Sequence, residues 1–218
     1  MAYVTINDKR NIDWGMDFLG KVIAPATPKN KTVDIPYRDG SIVIETSGGI
    51  KYSNRQISIR CEIRKPRIEW PHLQMELANE YHGKLVKVSF DDDPDHFWCG
   101  RCSIGQITDN KATATIIFTI DAEPFRRCTE PLLEETVSIA SGQSESFTFD
   151  NTSPRAYITL KGITTNETIT VNATEYAAGY NFTNEMAGIL VVGNPGFTLQ
   201  NNSNNTRTYT VKVFGGDL

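Results

Sequence analysis

The chain has 218 residues, of which 39% are hydrophobic and 22% charged, the profile of a folded globular protein and not of a disordered one. Its 22 Lys and Arg against 26 Asp and Glu give a net charge of −4, which excludes the basic surface of a nucleic-acid-binding protein. The sequence shows no secretory signal pattern and no membrane-spanning stretch, so we expect synthesis in a cytoplasm and no membrane insertion.

The first part of the chain, residues 1–130, is predicted to be a β-rich domain with one helix. Apolar and polar side chains alternate over residues 41–45, 56–63 and 85–90, and residues 112–120 form a β-branched run. Between these strands, four apolar side chains recur at helical spacing: Trp70, Leu73, Leu77 and Tyr81. Pro71 suits the first turn of this helix and Gly83 its C-terminal cap. We predict a single helix packed on a sheet.

Composition changes sharply near residue 136. Residues 136–218 hold only four Lys or Arg and six Asp or Glu, and are rich in Thr, Asn, Ser and Gly. Short alternating runs separated by Gly- and Asn-rich turns predict a small antiparallel β-sandwich over residues 136–218. Residues 124–135 are predicted to be the linker between the two domains.

Cys99 and Cys102 lie in the segment FWCGRC, whose spacing is also that of thioredoxin-type redox centres. Such a centre needs its first thiol at the N-terminus of a helix, where the dipole lowers the thiol pKa. The following residues alternate like strands, and on a strand the two cysteines point to opposite faces. We therefore predict no enzymatic activity. Cys61 and Cys128 are isolated, so no four-cysteine zinc site, metal or cofactor is predicted.

An acidic run over residues 91–95 is followed by His96. Alternating carboxylates can bind calcium, but the run lacks the glycine and the distal glutamate of a calcium-binding loop. Pro94 and the Asp-rich composition favour a solvated turn between two strands, which is our prediction.

The second domain also contains most of the seven Asn-x-Ser/Thr sequons of the chain. Their asparagines are Asn30, Asn151, Asn166, Asn172, Asn181, Asn201 and Asn204. In a secreted protein they would indicate glycosylation. Without a signal pattern, a domain made largely of Asn and Thr explains them better.

Five segments occur in an order that resembles the siphophage distal tail protein family. They are VDIPYRDGSI (33–42), KYSNRQISI (51–59), YHGK (81–84), FDDDPDHFWCGR (90–101) and DAEPF (121–125). Each segment is weakly specific, and the ordered set is more specific than any member. Tyr37 departs from the family, which usually has glycine at this position of the turn.

The resemblance implies a structural protein of the virion, located at the tail tip, that forms a homo-hexameric ring at the distal end of the tail tube. The ring would contact the major tail protein on one side and a tail-associated hub or fibre protein on the other. The first domain would be a β-sandwich-like ring domain, and the second a galectin-like sandwich. Charged residues of these segments are the candidates for subunit contacts: Arg38, Asp39, Asp91, Asp92, Asp93 and Arg101.

An alternative function is a carbohydrate-binding β-sandwich that contacts host cell-wall saccharide. Tyr157, Tyr176, Tyr180, Phe182 and Phe197 could supply aromatic faces for stacking. Aromatics in alternating strands are more often core, so Tyr176 and Tyr180, in the glycine-containing segment EYAAGYNF, are the candidates for saccharide contact.

Overall fold

The structure is a computed structural model that describes the chain except for residues 1, 30, 35, 38, 40, 45–49, 110–112, 151–152, 154, 163–167, 178–187 and 193–195. The described residues form nineteen β-strands, one α-helix and two short 3-10 helices. The predicted mainly β fold with a single helix is confirmed.

The chain divides into two compact units. Unit 1 holds residues 1–92, residues 100–124 and Leu218, and unit 2 holds residues 93–99 and 125–217. The sequence predicts domains at 1–130 and 136–218, so residues 93–99 and 125–135 are assigned differently. The domain boundaries at 1–130 and 136–218 stay a prediction.

Unit 1 is built from antiparallel strands. In chain order they are β1 (Val4–Ile6), β2 (Lys9–Arg10), β3 (Met16–Ile23), β4 (Lys31–Asp34), β5 (Ser41–Ile44), β6 (Arg55–Ile63), β7 (Leu85–Phe90), the second half of β8 (Asp93–Ile104), β9 (Thr108–Asp109) and β10 (Ala114–Ala122). β10 pairs with β8 on one side and with β6 on the other, and β6 pairs with β3. β1 pairs with β2 and β7, while β4 and β5 form a sheet of their own.

The alternation predicted for residues 56–63 sets the core of unit 1. Along β6 the buried and more exposed side chains alternate without interruption, and Ile57, Ile59 and Cys61 are buried. Their partners on β10 are Ile120, Phe118 and Ile116, which are also fully buried. Paired residues share a face of a sheet, so both strands bury the same side.

The helix α1 spans Trp70–Tyr81, as its periodicity predicts. Leu73, Leu77 and Tyr81 are its buried residues, and a proline lies in the first turn. The chain leaves the helix through Gly83, whose φ of 74° is the left-handed conformation that glycine adopts without strain. Neither this helix nor any other in the described ranges is long and apolar enough to cross a membrane.

Unit 2 contains the first half of β8 and the strands that follow unit 1. These are β11 (Arg126–Cys128), β12 (Leu133–Ile139), β13 (Ser144–Thr148), β14 (Arg155–Lys161), β15 (Thr168–Val171), β16 (Thr174–Ala177), β17 (Ile189–Val192), β18 (Gly196–Asn201) and β19 (Arg207–Asp217). In one sheet, β19 pairs with β11, β12 and β14. β11 also pairs with β8, and β14 also pairs with β17. The other has the order β13-β18-β15-β16.

The two sheets of unit 2 enclose one hydrophobic core, which confirms the predicted antiparallel sandwich. Its buried members come from both sheets: Ile139, Phe147, Phe149, Ala156, Ile158, Leu160, Ile169, Val171, Ile189, Val191, Phe197, Leu199, Tyr209, Val211 and Val213. Phe147 and Phe197 are cross-strand partners with stacked rings, their centroids 5.0 Å apart. Large aromatic side chains on adjacent strands therefore fill the centre of this small domain.

Residues 124–135, predicted to be a linker, include two strands. β11 pairs with β8 and β19, and β12 pairs with β19 along its whole length. These strands could not be predicted from the charged composition of the segment, because most side chains of β12 are exposed. Leu133, Val137 and Ile139 of β12 nevertheless pack on the core side of the sheet.

Candidate functional site

The solvated turn predicted for residues 91–95 is only partly observed, because Asp93, Pro94 and Asp95 belong to β8. Asp91 and Asp92 form the turn that follows β7, and β8 starts at Asp93. The side chain of Asp92 is 64% exposed and forms an ion pair with Lys21. The Lys21 ammonium also lies over the ring of Phe90, 3.9 Å from its centroid. The exposed Asp92 carboxylate is therefore paired with the ammonium of Lys21, and the ring of Phe90 helps to position that ammonium.

Asp93 makes its contacts inside unit 2. Its carboxylate lies 2.7 Å from Nδ1 of His96 and accepts a second hydrogen bond, also of 2.7 Å, from Arg126. Burial opposes ionisation of Asp93, but the hydrogen bond with His96 and the charges of His96 and Arg126 together lower its pKa. Asp93 thus orients two neighbouring side chains within its own subunit.

Arg101 lies in the second half of β8, in unit 1, and its side chain is exposed. Its guanidinium donates a hydrogen bond to the carbonyl of Gly83, just after α1. An arginine held at one nitrogen keeps further donors for another partner, since guanidinium carries five N–H groups. This arrangement is compatible with a subunit contact, which stays a prediction.

Tyr37 lies between β4 and β5 with a φ of 68°, in the left-handed region that bulky residues rarely adopt. Its side chain is fully exposed, and Asp39, two residues later, is also exposed. The resemblance implies a glycine at this position, and glycine adopts such a φ without strain. The predicted contact residue Arg38 lies outside the described residues.

Exposed large hydrophobic side chains are concentrated in unit 1. Two of them, Leu19 and Val22, lie on β3, and Val22 is 69% exposed. Two others, Ile68 and Met75, lie just before and within α1, and Ile68 is 89% exposed. Leu190 is the corresponding exposed side chain of unit 2 within the described residues. The exposed Leu19 and Val22 were not predicted because the sequence gives no strand signal over β3.

The FWCGRC segment is a continuous part of β8, as predicted, and the next element in the described residues is the strand β9. Cys99 and Cys102 are fully buried. Burial raises the pKa of the Cys102 thiol to about 12, the opposite of the shift that a redox cysteine needs. Cys61 is also buried, and its pKa is likewise raised to about 12. These thiols are core residues.

The aromatic side chains of the sandwich are mostly buried. Tyr157 and Phe197 are within 4% of complete burial, so neither presents a face to a saccharide. Tyr176 is half-buried and packs against the hydrophobic core of unit 2. Tyr180 and Phe182 lie outside the described residues, and saccharide contact at Tyr180 stays a prediction.

One group in the described part of the chain has the side chains of a metal site. Ligand atoms of His96, Cys128 and Asp217 all lie within 4.8 Å of one another in unit 2. Burial raises the pKa of the Cys128 thiol, and the Asp217 carboxylate raises it further. Sequence analysis did not find this group, because 31 residues separate His96 from Cys128 and 88 separate Cys128 from Asp217.

The fold is similar to that of solved phage proteins. No protein-family model matches the sequence, and no curated protein matches it. The structure of the Dit (gp 19.1) protein of phage SPP1, described as a paradigm of the hub adsorption apparatus of phages that infect Gram-positive bacteria, superposes with a TM-score of 0.56. The match covers 100% of both chains at 10% identity. A chain of the phage p2 baseplate, in its activated conformation with Sr, matches with a TM-score of 0.46 at 10% identity, over 97% of this chain and 98% of that one. The predicted resemblance is thus confirmed at the level of the fold, and this chain has the fold of the SPP1 distal tail protein over its full length.

Proposed function

We propose that the protein is a structural, non-enzymatic component of a phage tail tip that forms a homo-hexameric ring at the distal end of the tail tube. In this role it joins the major tail protein of the tube to a tail-associated hub or fibre protein. The observation that carries the proposal is the full-length likeness of its fold to the SPP1 Dit protein. The ordered motifs between residues 33 and 125 support the same function from the sequence.

The surface of unit 1 suits assembly into a ring. A cyclic ring brings two different faces of each subunit together, so each subunit needs two contact surfaces. The exposed apolar side chains on β3 and those near α1 belong to two different elements. Apolar side chains of this size at the centre of a contact, surrounded by charged groups, have the composition of a protein–protein interface.

The charged residues of the family motifs would form the rim of these contacts. They are Arg38, Asp39, Asp91, Asp92, Asp93 and Arg101. Asp92 is the most suitable of the acidic run for direct contact because its side chain is more exposed than that of Asp93. Asp93 is the least suited of the set to a subunit contact, because His96 and Arg126 already engage its carboxylate. Rim charges contribute mainly to association rate and to the choice of partner.

A non-enzymatic role agrees with the state of the cysteines, which are the residues that suggested an enzyme. The fully buried Cys99 and Cys102 lie on a strand and give a substrate no thiolate. The carbohydrate-binding alternative has no observation in its favour, since every described aromatic of unit 2 is buried or, like Tyr176, packs against the core.

Labelling of the virion tests the proposed location. An antibody against the purified chain, visualised by gold in electron micrographs of intact particles, is expected to mark the tail tip. Labelling along the tail shaft or on the head would overturn the proposal. A mutant phage that lacks the gene provides the control for antibody specificity.

A further inference from the structure

Three side chains of metal-ligating type meet on one face of unit 2. His96 belongs to β8, Cys128 ends β11, and Asp217 ends β19. β11 lies between the other two strands: Cys128 pairs with His96, and Arg126, two residues earlier, pairs with Asp217. Residues two apart on a strand share a face, so the three side chains project from the same side of three adjacent strands.

The separations between these side chains approach those of a metal site. Nε2 of His96 lies 3.6 Å from Oδ2 of Asp217, and the ligand atoms of all three residues lie within 4.8 Å of one another. Ligand atoms bound at roughly 2.0–2.3 Å around a tetrahedral zinc ion are about 3.3–3.6 Å apart. Movements of about 1 Å by the His96 and Asp217 side chains would bring the ligand atoms from within 4.8 Å of one another to these separations.

The orientation of His96 is already that of a metal ligand. Its Nδ1 donates a hydrogen bond of 2.7 Å to the Asp93 carboxylate. In the neutral ring whose Nδ1–H donates to Asp93, Nε2 carries the lone pair, and Nε2 lies 3.6 Å from Oδ2 of Asp217. The carboxylate–histidine pair is the arrangement that fixes the ring and tautomer of metal-binding histidines in proteins. Arg126 holds the second oxygen of Asp93 at 2.7 Å, so the supporting carboxylate is itself fixed.

The Cys128 thiol lies close to β19 and forms a hydrogen bond with the side chain of Ser153. A Cβ at Gly215 would lie 3.2 Å from Sγ of Cys128 and 2.6 Å from Oγ of Ser153. Glycine at this position of β19 therefore lets the strand pass directly beside the sulfur atom. The close approach limits the directions in which the Cys128 side chain can turn.

We propose that His96, Cys128 and Asp217 bind a zinc ion. One sulfur, one imidazole nitrogen and one carboxylate oxygen suit this borderline-soft cation, and solvent supplies the fourth ligand of a tetrahedral site. Binding displaces the thiol proton of Cys128 to solvent. The ion links β8, β11 and β19, so its role is to fasten the chain end to the sandwich. This inference does not depend on the proposed function, and it departs from the sequence-based prediction of no metal.

Metal titration of the purified full chain tests the proposal. After treatment with a chelator, the protein is expected to bind one zinc ion per chain by calorimetry and to melt at a higher temperature with zinc. Cobalt(II) as a spectroscopic probe is expected to give a thiolate charge-transfer band and the intense visible bands of a tetrahedral site. The other three thiols are at most 1% exposed, so the charge-transfer band reports on Cys128.

Variants assign the ligands. Cys128→Ser is expected to remove the charge-transfer band, and His96→Asn or Asp217→Asn to weaken zinc binding at least tenfold. Asp93→Asn, which alters only the supporting carboxylate, is expected to weaken binding by roughly 10–100-fold. His72→Asn and Asp95→Asn are matched controls, exposed residues of the same types outside the group, and are expected to leave binding unchanged.

Failure of the wild-type chain to bind zinc stoichiometrically, or a cobalt complex without a thiolate band, would overturn the proposal. Binding that persists unchanged in Cys128→Ser would overturn it as well, and would identify a different surface site. Should a variant fail to fold, the cobalt spectrum of the wild-type chain decides alone.

Discussion

The hydroxyl of Tyr209 donates a hydrogen bond of 2.9 Å to Oδ1 of Asn201 in the interior of unit 2. Asn201 is fully buried and donates from its own amide to the carbonyls of Ile139 and Asn205. The same Oδ1 accepts from the backbone of Ser203. Asn201 thus ties the ends of β12, β18 and β19 together, although its sequence context is that of a glycosylation sequon.

This network predicts that Asn201→Ala destabilises the protein by about 1–3 kcal/mol, because several buried polar groups lose their partner. Tyr209→Phe removes one donor and leaves Oδ1 bonded to Ser203, so a smaller loss of about 0.5–1.5 kcal/mol is expected. The exposed Asn204→Ala is the matched control and should change the free energy of unfolding by less than about 0.5 kcal/mol. Urea denaturation measures all three, and equal effects for Asn201 and Asn204 would contradict the structural role.

The left-handed backbone at Tyr37 gives a second prediction. Tyr37→Gly relieves a conformational penalty of about 1–2 kcal/mol, which the greater entropy of a glycine-containing unfolded chain offsets by roughly 0.5–1 kcal/mol. We expect Tyr37→Gly to melt no lower than the wild type and Tyr37→Ala, which keeps the strain, to melt lower than Tyr37→Gly. Thermal denaturation of the three proteins checks the order. A Tyr37→Gly variant that is the least stable would show that the ring of Tyr37 makes a stabilising contact.

The exposed apolar surface of β3 gives a third prediction. Val22→Glu places an unpaired carboxylate in a proposed subunit contact, and we expect at least a tenfold loss of subunit affinity, about 1.4 kcal/mol. The exposed Leu190→Glu in unit 2 is the control and should assemble like the wild type. Light scattering over a dilution series measures assembly, and thermal denaturation confirms that both variants are folded. Normal assembly of Val22→Glu would remove β3 from the proposed interface.

The buried thiols give a prediction of pH dependence. The pKa values of Cys61 and Cys102 are about 12 in the folded protein against 9.0 for the free thiol, because burial disfavours the thiolate. A pKa raised on folding contributes stability that is complete below pH 9 and is lost as pH rises from about 9 to 12. Between about pH 9 and 12, each thiol lowers the free energy of unfolding by up to roughly 1 kcal/mol per pH unit.

Comparison of the wild type with Cys102→Ala isolates this contribution from the lysines and tyrosines that titrate at similar pH. The stability difference between the two proteins, measured by urea denaturation, should be constant below pH 9 and shift in favour of Cys102→Ala above it. A difference that stays constant up to pH 11 would contradict the assigned pKa.

Regular patterns in the sequence predict the elements that bury one face. The alternation over residues 56–63 and the spacing of Leu73, Leu77 and Tyr81 correspond to β6 and α1 in the structure. β3 escapes prediction because its sequence, MDFLGKVI, shows no alternation, and its register shifts between Phe18 and Gly20. A strand with a bulge and exposed apolar residues lacks the periodic signal on which sequence analysis depends.

The candidate sites also differ in how much of their structure can be predicted from the sequence. The strand at FWCGRC and the turn at Asp91 and Asp92 could be predicted from local residue types, whereas the extension of β8 through Asp93, Pro94 and Asp95 could not. The group of His96, Cys128 and Asp217 depends on the register of β11 against β8 and β19, which no local pattern specifies. The strain at Tyr37 was indicated only by comparison with the glycine of the family.

The native mass of the purified full chain tests the proposed six-fold ring most directly. Mass spectrometry or light scattering over a concentration series is expected to show an assembly of six 24.3-kDa subunits, populated increasingly at high concentration. Electron micrographs of the same sample should show rings with a central opening. A monomer at every concentration, together with tail tips that show no ring, would contradict the claim.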